Sequence, residues 1–156
     1  MNKNDFDILF EWVKGLENDR GGRAELRRAH SYDEVVFCSA YHRLYNRLHW
    51  NDRDRDKLAS IAGLVAHVKF NKDGVKLAEQ MATPKSGDKP VISGLRFRRI
   101  LAIKERGELY VVLIRVIRML GGTVNLRDLA ESVYWWNTKT KKDWAYKYWE
   151  KAPKKK

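Results

Sequence analysis

Arginine side chains recur at three-residue spacing in the second half of the chain, where Arg96 is followed by Arg99 and Arg115 by Arg118. Residues three apart project from one side of a helix, roughly 5 Å apart along its axis. A guanidinium group is a planar fork that binds two phosphate oxygens at once. Each pair could therefore follow a phosphate backbone; the alternative for each is a solvated face that keeps the protein soluble.

The second arginine pair lies in an unusual setting. Residues 111–117 are otherwise apolar, so a helix here would be buried over most of its surface. Arg115 and Arg118 would then lie on the only face of this helix that is exposed to solvent. We expect them to line the floor of a groove rather than an open convex face.

The distribution of charge points to the same half of the chain. The 156 residues carry 32 Lys and Arg against 20 Asp and Glu, a formal net charge of +12 at pH 7. Residues 1–90 hold 16 basic and 14 acidic side chains, and residues 91–156 hold 16 and 6, so the net charges are +2 and +10. A strongly basic segment favours polyanionic partners, above all nucleic acid or an anionic membrane face.

Residues suited to catalysis are few. Cys38 and His42 stand four apart and could supply two metal ligands, whereas a structural zinc site needs four. Asp52, Asp54 and Asp56 alternate with arginines, which indicates a self-neutralising surface turn more than the magnesium site of a small nuclease. No nucleophile elbow, HExxH motif or phosphate-binding glycine loop is present. We expect a protein that is not an enzyme and that has no metal or cofactor.

Cysteine usage and hydropathy suggest the compartment. A single cysteine excludes a disulfide framework. No apolar run reaches the roughly 18 to 20 residues of a membrane-spanning helix, and the first residues lack the apolar stretch of a signal peptide. We expect a cytoplasmic protein.

Aromatic residues crowd the last third of the chain among lysines. At helical spacing such rings usually belong to the core, which we predict for Trp136 and Trp144. The sequence does not decide whether Trp135 and Trp149 lie in the core or at the surface, where exposed rings could stack on unpaired bases.

Apolar residues at three- and four-residue spacing predict an all-α protein. In the helix predicted over residues 31–48, one buried seam would be formed by Phe37, Tyr41, Leu44 and Leu48. Ser93 and Asn125 are expected to cap helices, and Gly121-Gly122 to end one in a left-handed conformation. The predicted helices cover residues 5–16, 31–48, 51–71, 75–82, 93–106, 108–120, 125–136 and 140–150.

A stretch of turn-forming residues divides these helices. Residues 83–90 contain two of the three prolines of the chain together with Ser86 and Gly87. We therefore expect two small helical bundles, an N-terminal lobe of residues 1–85 and a basic C-terminal lobe of residues 91–156, joined by a short linker.

Several segments, in order along the chain, resemble the CasB family, the small subunit of type I-E CRISPR Cascade complexes. They are GGRAELRRA (21–29), AYHRL (40–44), ISGLRFRRILAIKERGELYVVLIRVIRMLGG (92–122), VNLRDLAESVYWWN (124–137) and KKDWAYKYW (141–149). The resemblance implies a non-catalytic, all-helical subunit that binds CRISPR guide RNA, target DNA and the displaced single strand, and so stabilises the R-loop in antiviral defence. It also implies partners among the backbone and large Cascade subunits and a second copy of the chain, without a membrane.

The resemblance further implies which basic residues meet nucleic acid. Arg96 joins them because of its spacing from Arg99. The full set of expected nucleic-acid-binding residues is Arg27, Arg28, Arg96, Arg99, Arg106, Arg115, Arg118, Lys139, Lys141 and Lys142.

A second interpretation is a free-standing helix-turn-helix regulator, with residues 125–136 as the recognition helix. That helix would offer Arg127, Asp128 and Glu131 to the bases, a poor set for reading a major groove.

Overall fold

The computed structural model describes residues 1–154 and confirms an all-α fold. Its ten α-helices are joined by a 3-10 turn at Asp52–Asp54 and by two very short strands, β1 (Phe70–Asn71) and β2 (Thr123–Val124). The helices are α1 (Lys3–Leu16), α2 (Arg20–Arg28), α3 (Tyr32–Val35), α4 (Ser39–Leu48), α5 (Arg55–Val65), α6 (Leu77–Ala82), α7 (Gly94–Leu101), α8 (Arg106–Met119), α9 (Leu126–Tyr134) and α10 (Thr138–Lys151).

Side-chain caps start the helices where the sequence predicts them. Ser93 Oγ accepts from the Arg96 amide at 3.2 Å, and Asn125 Oδ1 accepts from the Asp128 amide at 3.0 Å. Each bond satisfies an amide that has no partner inside its own helix. The last helix begins slightly earlier than expected, because Asn137 rather than Thr140 caps it.

The predicted helix over residues 31–48 is wrong, because the chain divides it into α3 and α4. The backbone turns at Val36–Cys38, where His42 Nε2 donates to the Val36 carbonyl oxygen at 2.6 Å. This turn rotates Phe37 out of the expected seam, and its side chain is 85% exposed. Val35 and Cys38 are buried in its place.

The two strands are not visible in the sequence pattern. They pair in parallel, with Phe70 opposite Thr123, and join the segment after α5 to the segment after α8. The predicted left-handed ending of α8 is confirmed by φ of 71° at Gly121 and 78° at Gly122. A Cβ on Gly122 would lie 2.9 Å from the Lys69 side chain, so this close approach requires glycine.

Helix α5 lies at the centre of the packing. Every residue from Leu58 to Val65 is buried, and the helix contacts α3, α8 and α9. Helix α6 packs along α10, so helices from both sides of residues 83–90 contact one another. The division into two lobes stays a prediction about separate folding units. None of the helices described is long and apolar enough to cross a membrane.

Three stacked rings fix α7 on α10. The Phe97 ring lies 3.9 Å from the Tyr148 ring at an interplanar angle of 8°, and 6.5 Å from the Trp144 ring at an angle of 16°. The Tyr148 hydroxyl donates to the Ile92 carbonyl, just before α7 begins. Because Phe97 is buried, Arg96 and Arg99 on its flanks are held at the surface.

Candidate nucleic-acid interface

Helices α7 and α8 enclose a basic groove of about 420 Å³. Arg96 and Arg99 come from α7 and Arg115 from α8, so the structure joins residues of two separate sequence pairs. The groove is otherwise lined by one acid, Glu108, and by an apolar floor. That floor consists of Ile92, Ile100, Ile103, Val112, Val116 and Met119.

The three groove arginines are free for a ligand. All three are exposed, and across residues 1–154 none of them forms an ion pair. The only hydrogen bond that one of their guanidinium groups makes within this part of the chain is a weak one from Arg96 Nη1 to Met119 Sδ, at 3.6 Å. Planar donors above an apolar floor suit a phosphate backbone, and the floor offers no groups to read base edges.

Arg118 does not line this groove. Its charge acts instead on His67, together with the charges of Arg27 and of Arg23, a residue that the sequence analysis missed. Arg27 Nε donates to the Ala66 carbonyl at 2.8 Å, and Arg23 donates to the carbonyls of Ala66 and Val68. The four-residue spacing of Arg23 and Arg27 on one helix face could have revealed the pair.

Arg28 points elsewhere than its neighbour Arg27, as adjacent helical residues must. It is exposed and lies near Cys38. Burial, together with the acceptor Glu25, raises the pKa of the Cys38 thiol to about 11, and the charge of Arg28 opposes that shift. Arg27 and Arg28 therefore lie on different faces of α2.

Arg106 is bound within the fold. Its Nη1 donates to the Val133 carbonyl at 2.7 Å, in the last turn of α9, and burial lowers the pKa of the guanidinium. This contact joins the start of α8 to the end of α9.

The three candidate lysines of α10 differ in their surroundings. Lys139 pairs with Asp143 at 3.1 Å. Lys141 donates to the Ile103 carbonyl at 2.9 Å and lies over the Trp136 ring at 5.3 Å. Lys142 is exposed beside Tyr146 and Trp149, and has no ion pair within residues 1–154. Lys142 is thus the one of the three that is both exposed and without a partner in this part of the chain.

The tryptophans divide as the sequence indicates. Trp144 is buried, and Trp136 is partly buried with its indole donating to the Ile103 carbonyl at 2.9 Å. Trp144 is a core residue, as predicted, and Trp136 packs against the core from its edge. Trp135 and Trp149 are 51% and 50% exposed, so each keeps an accessible surface.

In α9, the proposed recognition helix, Asp128 and Arg127 contact other parts of the chain. Asp128 Oδ2 accepts from the Leu77 amide at 2.7 Å and so caps α6. The Arg127 guanidinium lies 4.1 Å from the centre of the Phe6 ring, and the helix packs on α5. These contacts disfavour a role for α9 in reading a DNA groove.

The residues considered for metal chemistry have other contacts. Cys38 Sγ donates to the Glu34 carbonyl, while His42 bonds to Val36. Asp52 pairs with Arg55 at 3.0 Å, as expected of a surface turn. Among residues 1–154 no group of three His, Cys, Asp or Glu side chains is placed to hold a metal ion.

The environment of His67 predicts a pH dependence of stability. Burial, and then the charges of Arg27, Arg118 and Arg23, lower its pKa to about 4. An unfolded histidine has a pKa of about 6.5, so the unfolded state binds the proton more readily between these values. The contribution of neutral His67 to the free energy of unfolding is therefore complete above about pH 6.5 and is lost as the pH falls towards 4.

We expect the His67→Gln variant to lose less free energy of unfolding than wild type between pH 7 and pH 4.5, as measured by urea denaturation at both pH values. Equal losses would contradict this, and the exposed-site variant His30→Gln is the control.

Comparison with known proteins identifies the family of the chain. A sequence profile of the CRISPR-associated protein Cse2 matches residues 22–149, which include every candidate residue discussed above. A chain of the crystal structure of E. coli Cascade bound to a PAM-containing double-stranded DNA target has the same fold, with a TM-score of 0.73, 18% identity and 94% of each chain covered. No curated protein sequence matches the chain. Because the profile match spans most of its length, the chain belongs to the Cse2 family, also called CasB, of type I-E CRISPR systems.

Proposed function

We propose that this protein is a non-catalytic subunit of a CRISPR RNA-guided Cascade complex and that it holds nucleic-acid backbone in the groove between α7 and α8. Family membership supports the assignment to such a complex, and the shared fold with a chain of DNA-bound E. coli Cascade is consistent with it. Its partners are guide RNA, target DNA, the displaced single strand and the other Cascade subunits, including a second copy of itself.

The observation that carries the proposal is the basic groove. Arg96, Arg99 and Arg115 converge on it from two helices while a single acid, Glu108, lines it. Such a site neutralises phosphates without distinguishing bases. Sequence would then be read by pairing between guide and target, and the protein would contribute charge and shape.

The ten candidates divide by their contacts in this proposal. Arg27, Arg106 and Lys141 donate to backbone carbonyls of other segments and so help to position them, although Arg27 keeps further donors. Lys139 is exposed and pairs with Asp143 of its own helix. Six exposed side chains remain available for phosphates, namely Arg28, Arg96, Arg99, Arg115, Arg118 and Lys142.

A salt series tests the proposal. Binding of the purified protein to a labelled single strand is measured at several salt concentrations, beside a scrambled strand and a duplex of equal length. If six cations contact a single strand, the logarithm of affinity falls against the logarithm of salt with a slope of about 4, since each neutralised phosphate contributes about 0.7. The scrambled strand should bind equally well. A flat salt response, or a strong preference for one duplex sequence, would overturn the proposal.

A further inference from the structure

The end of helix α5 holds two arginines in fixed orientation. Arg23 donates from Nε to the Ala66 carbonyl at 3.2 Å and from Nη2 to the Val68 carbonyl at 2.7 Å. Arg27 Nε donates to the same Ala66 carbonyl at 2.8 Å. Carbonyls at a helix C-terminus carry partial negative charge and attract cations. These bonds fix the positions of the guanidinium planes before any ligand arrives.

Most of the donors of these two groups are still unused. A guanidinium has five N–H donors, of which Arg23 uses two and Arg27 one in the contacts above. Neither residue forms an ion pair within the chain described here. The pair is therefore preorganised and still able to bind an oxyanion.

A third arginine approaches from α8. Gly122, just after that helix, accepts hydrogen bonds from the amides of Lys69 and Phe70, so the last turn of α8 lies beside the segment that follows α5. Arg118 belongs to that turn. Its charge, like those of Arg23 and Arg27, acts on the imidazole of His67.

The charge of this cluster is not balanced. The charges of three guanidinium groups act on one imidazole, and no carboxylate is among the groups that act on it. His67 cannot serve as a counter-ion, and its buried Nε2 has no hydrogen-bond partner among residues 1–154. Burial, and then the charge of Arg23, lowers the pKa of the Arg27 guanidinium, and the second effect is expected for two cations held close together. A bound anion would relieve this repulsion.

Arg118 follows the groove residue Arg115 by about one turn of α8. Arg115 and Arg118 are three residues apart on α8, and therefore on one side of the helix with a rise of about 4.5 Å between them. A strand lying in the groove could reach the cluster with a neighbouring phosphate. Phosphate also suits the forked donors better than a point charge does.

We propose that Arg23, Arg27 and Arg118 form a preorganised site for one phosphate group of the bound nucleic-acid strand, separate from the groove between α7 and α8. This inference rests on the proposed function, and it adds Arg23 to the residues that contact nucleic acid. Because the charges of all three arginines act on His67, its titration reports on the occupancy of the site.

The test uses His67 as an internal probe. Its imidazole signal is followed by NMR from pH 3.5 to pH 7 in the full-length protein, alone, with a single-stranded oligonucleotide and with inorganic phosphate; the His67→Gln variant identifies the signal. A phosphate that neutralises the cluster should raise the His67 titration midpoint by about one pH unit. Oligonucleotide should produce this rise at much lower concentration than inorganic phosphate.

Arg118→Gln is the matching substitution, because Arg118 is exposed and its loss leaves the helix intact. It should weaken oligonucleotide binding about fivefold, lower the salt slope by about 0.7 and reduce the rise in the His67 midpoint. Arg53→Gln, at another exposed arginine, should change none of these.

The outcomes separate this inference from the proposed function. Salt-dependent binding with an unchanged His67 midpoint, and equal affinities for Arg118→Gln and Arg53→Gln, would overturn the phosphate site and leave the groove in place. A midpoint raised by inorganic phosphate without oligonucleotide binding would overturn the assignment to a nucleic-acid strand. Loss of both responses would overturn both proposals.

Discussion

Replacing Arg96, Arg99 and Arg115 together by glutamine is expected to lower single-strand affinity by about 100-fold at moderate salt. The estimate takes about 1 kcal/mol for each lost contact between an exposed guanidinium and a phosphate. The slope of affinity against salt should also fall by about 2, since three phosphates are no longer neutralised. Glutamine keeps part of each stem, so the apolar floor of the groove remains covered. Fluorescence anisotropy across a salt series measures both quantities.

A charge-matched control separates the groove from net charge. The variant Arg43→Gln, Arg47→Gln, Arg53→Gln also removes three positive charges, from exposed residues outside the groove. Arg43 and Arg47 form exposed ion pairs with Asp19 and Glu11, which contribute little to stability. This variant should bind within about threefold of wild type, through long-range charge alone. Equal losses in both triple variants would mean that the groove is not the binding site.

Truncating Phe97 to alanine is expected to cost about 3 to 5 kcal/mol of the free energy of unfolding. The ring is fully buried and stacks on Tyr148, with its other neighbours being Trp144 and Trp149. Its removal leaves a cavity at the joint between α7 and α10 and also loses the aromatic stacking. Because α7 carries two of the groove arginines, nucleic-acid binding should weaken as well. Urea denaturation followed by circular dichroism measures the stability.

Two variants make this result specific. Leu95→Ala changes a residue of the same helix that is 53% exposed, and should alter the stability by no more than about 0.5 kcal/mol. Phe97→Leu keeps apolar volume but loses the stacking, so its cost should fall to about 1 to 1.5 kcal/mol. If Phe97→Ala were no more destabilising than Leu95→Ala, the stacked cluster would not hold α7 in place.

Local signals account for what sequence analysis predicted correctly about the fold. Apolar periodicity, the caps at Ser93 and Asn125, and the glycine pair after α8 depend on interactions within a few residues. The break at Val36–Cys38 leaves no such signal, because Phe37 fits a helical seam by spacing alone. Strands β1 and β2 leave none either, because they are two residues long and pair across 53 positions of the chain.

Candidate residues were predicted by type and spacing, with less success in their roles. Arg106 and Lys141 have the same basic chemistry as the groove arginines, yet both donate to backbone carbonyls on distant segments. Arg23 drew no attention in the sequence, although it caps the end of α5 beside Arg27. No sequence interval distinguishes an arginine that binds a carbonyl from one that awaits a phosphate.

The sequence by itself determined the helical class, most helix starts, the concentration of positive charge after residue 91 and the family resemblance, because each depends on composition or on neighbours along the chain. Only the tertiary structure decided which arginines meet. The groove joins α7 to α8, and the cluster at His67 joins α2 to α8 across more than 90 residues. Packing of the buried faces determines which helices become neighbours. It therefore determines which polar faces, and which arginines, lie side by side at the surface.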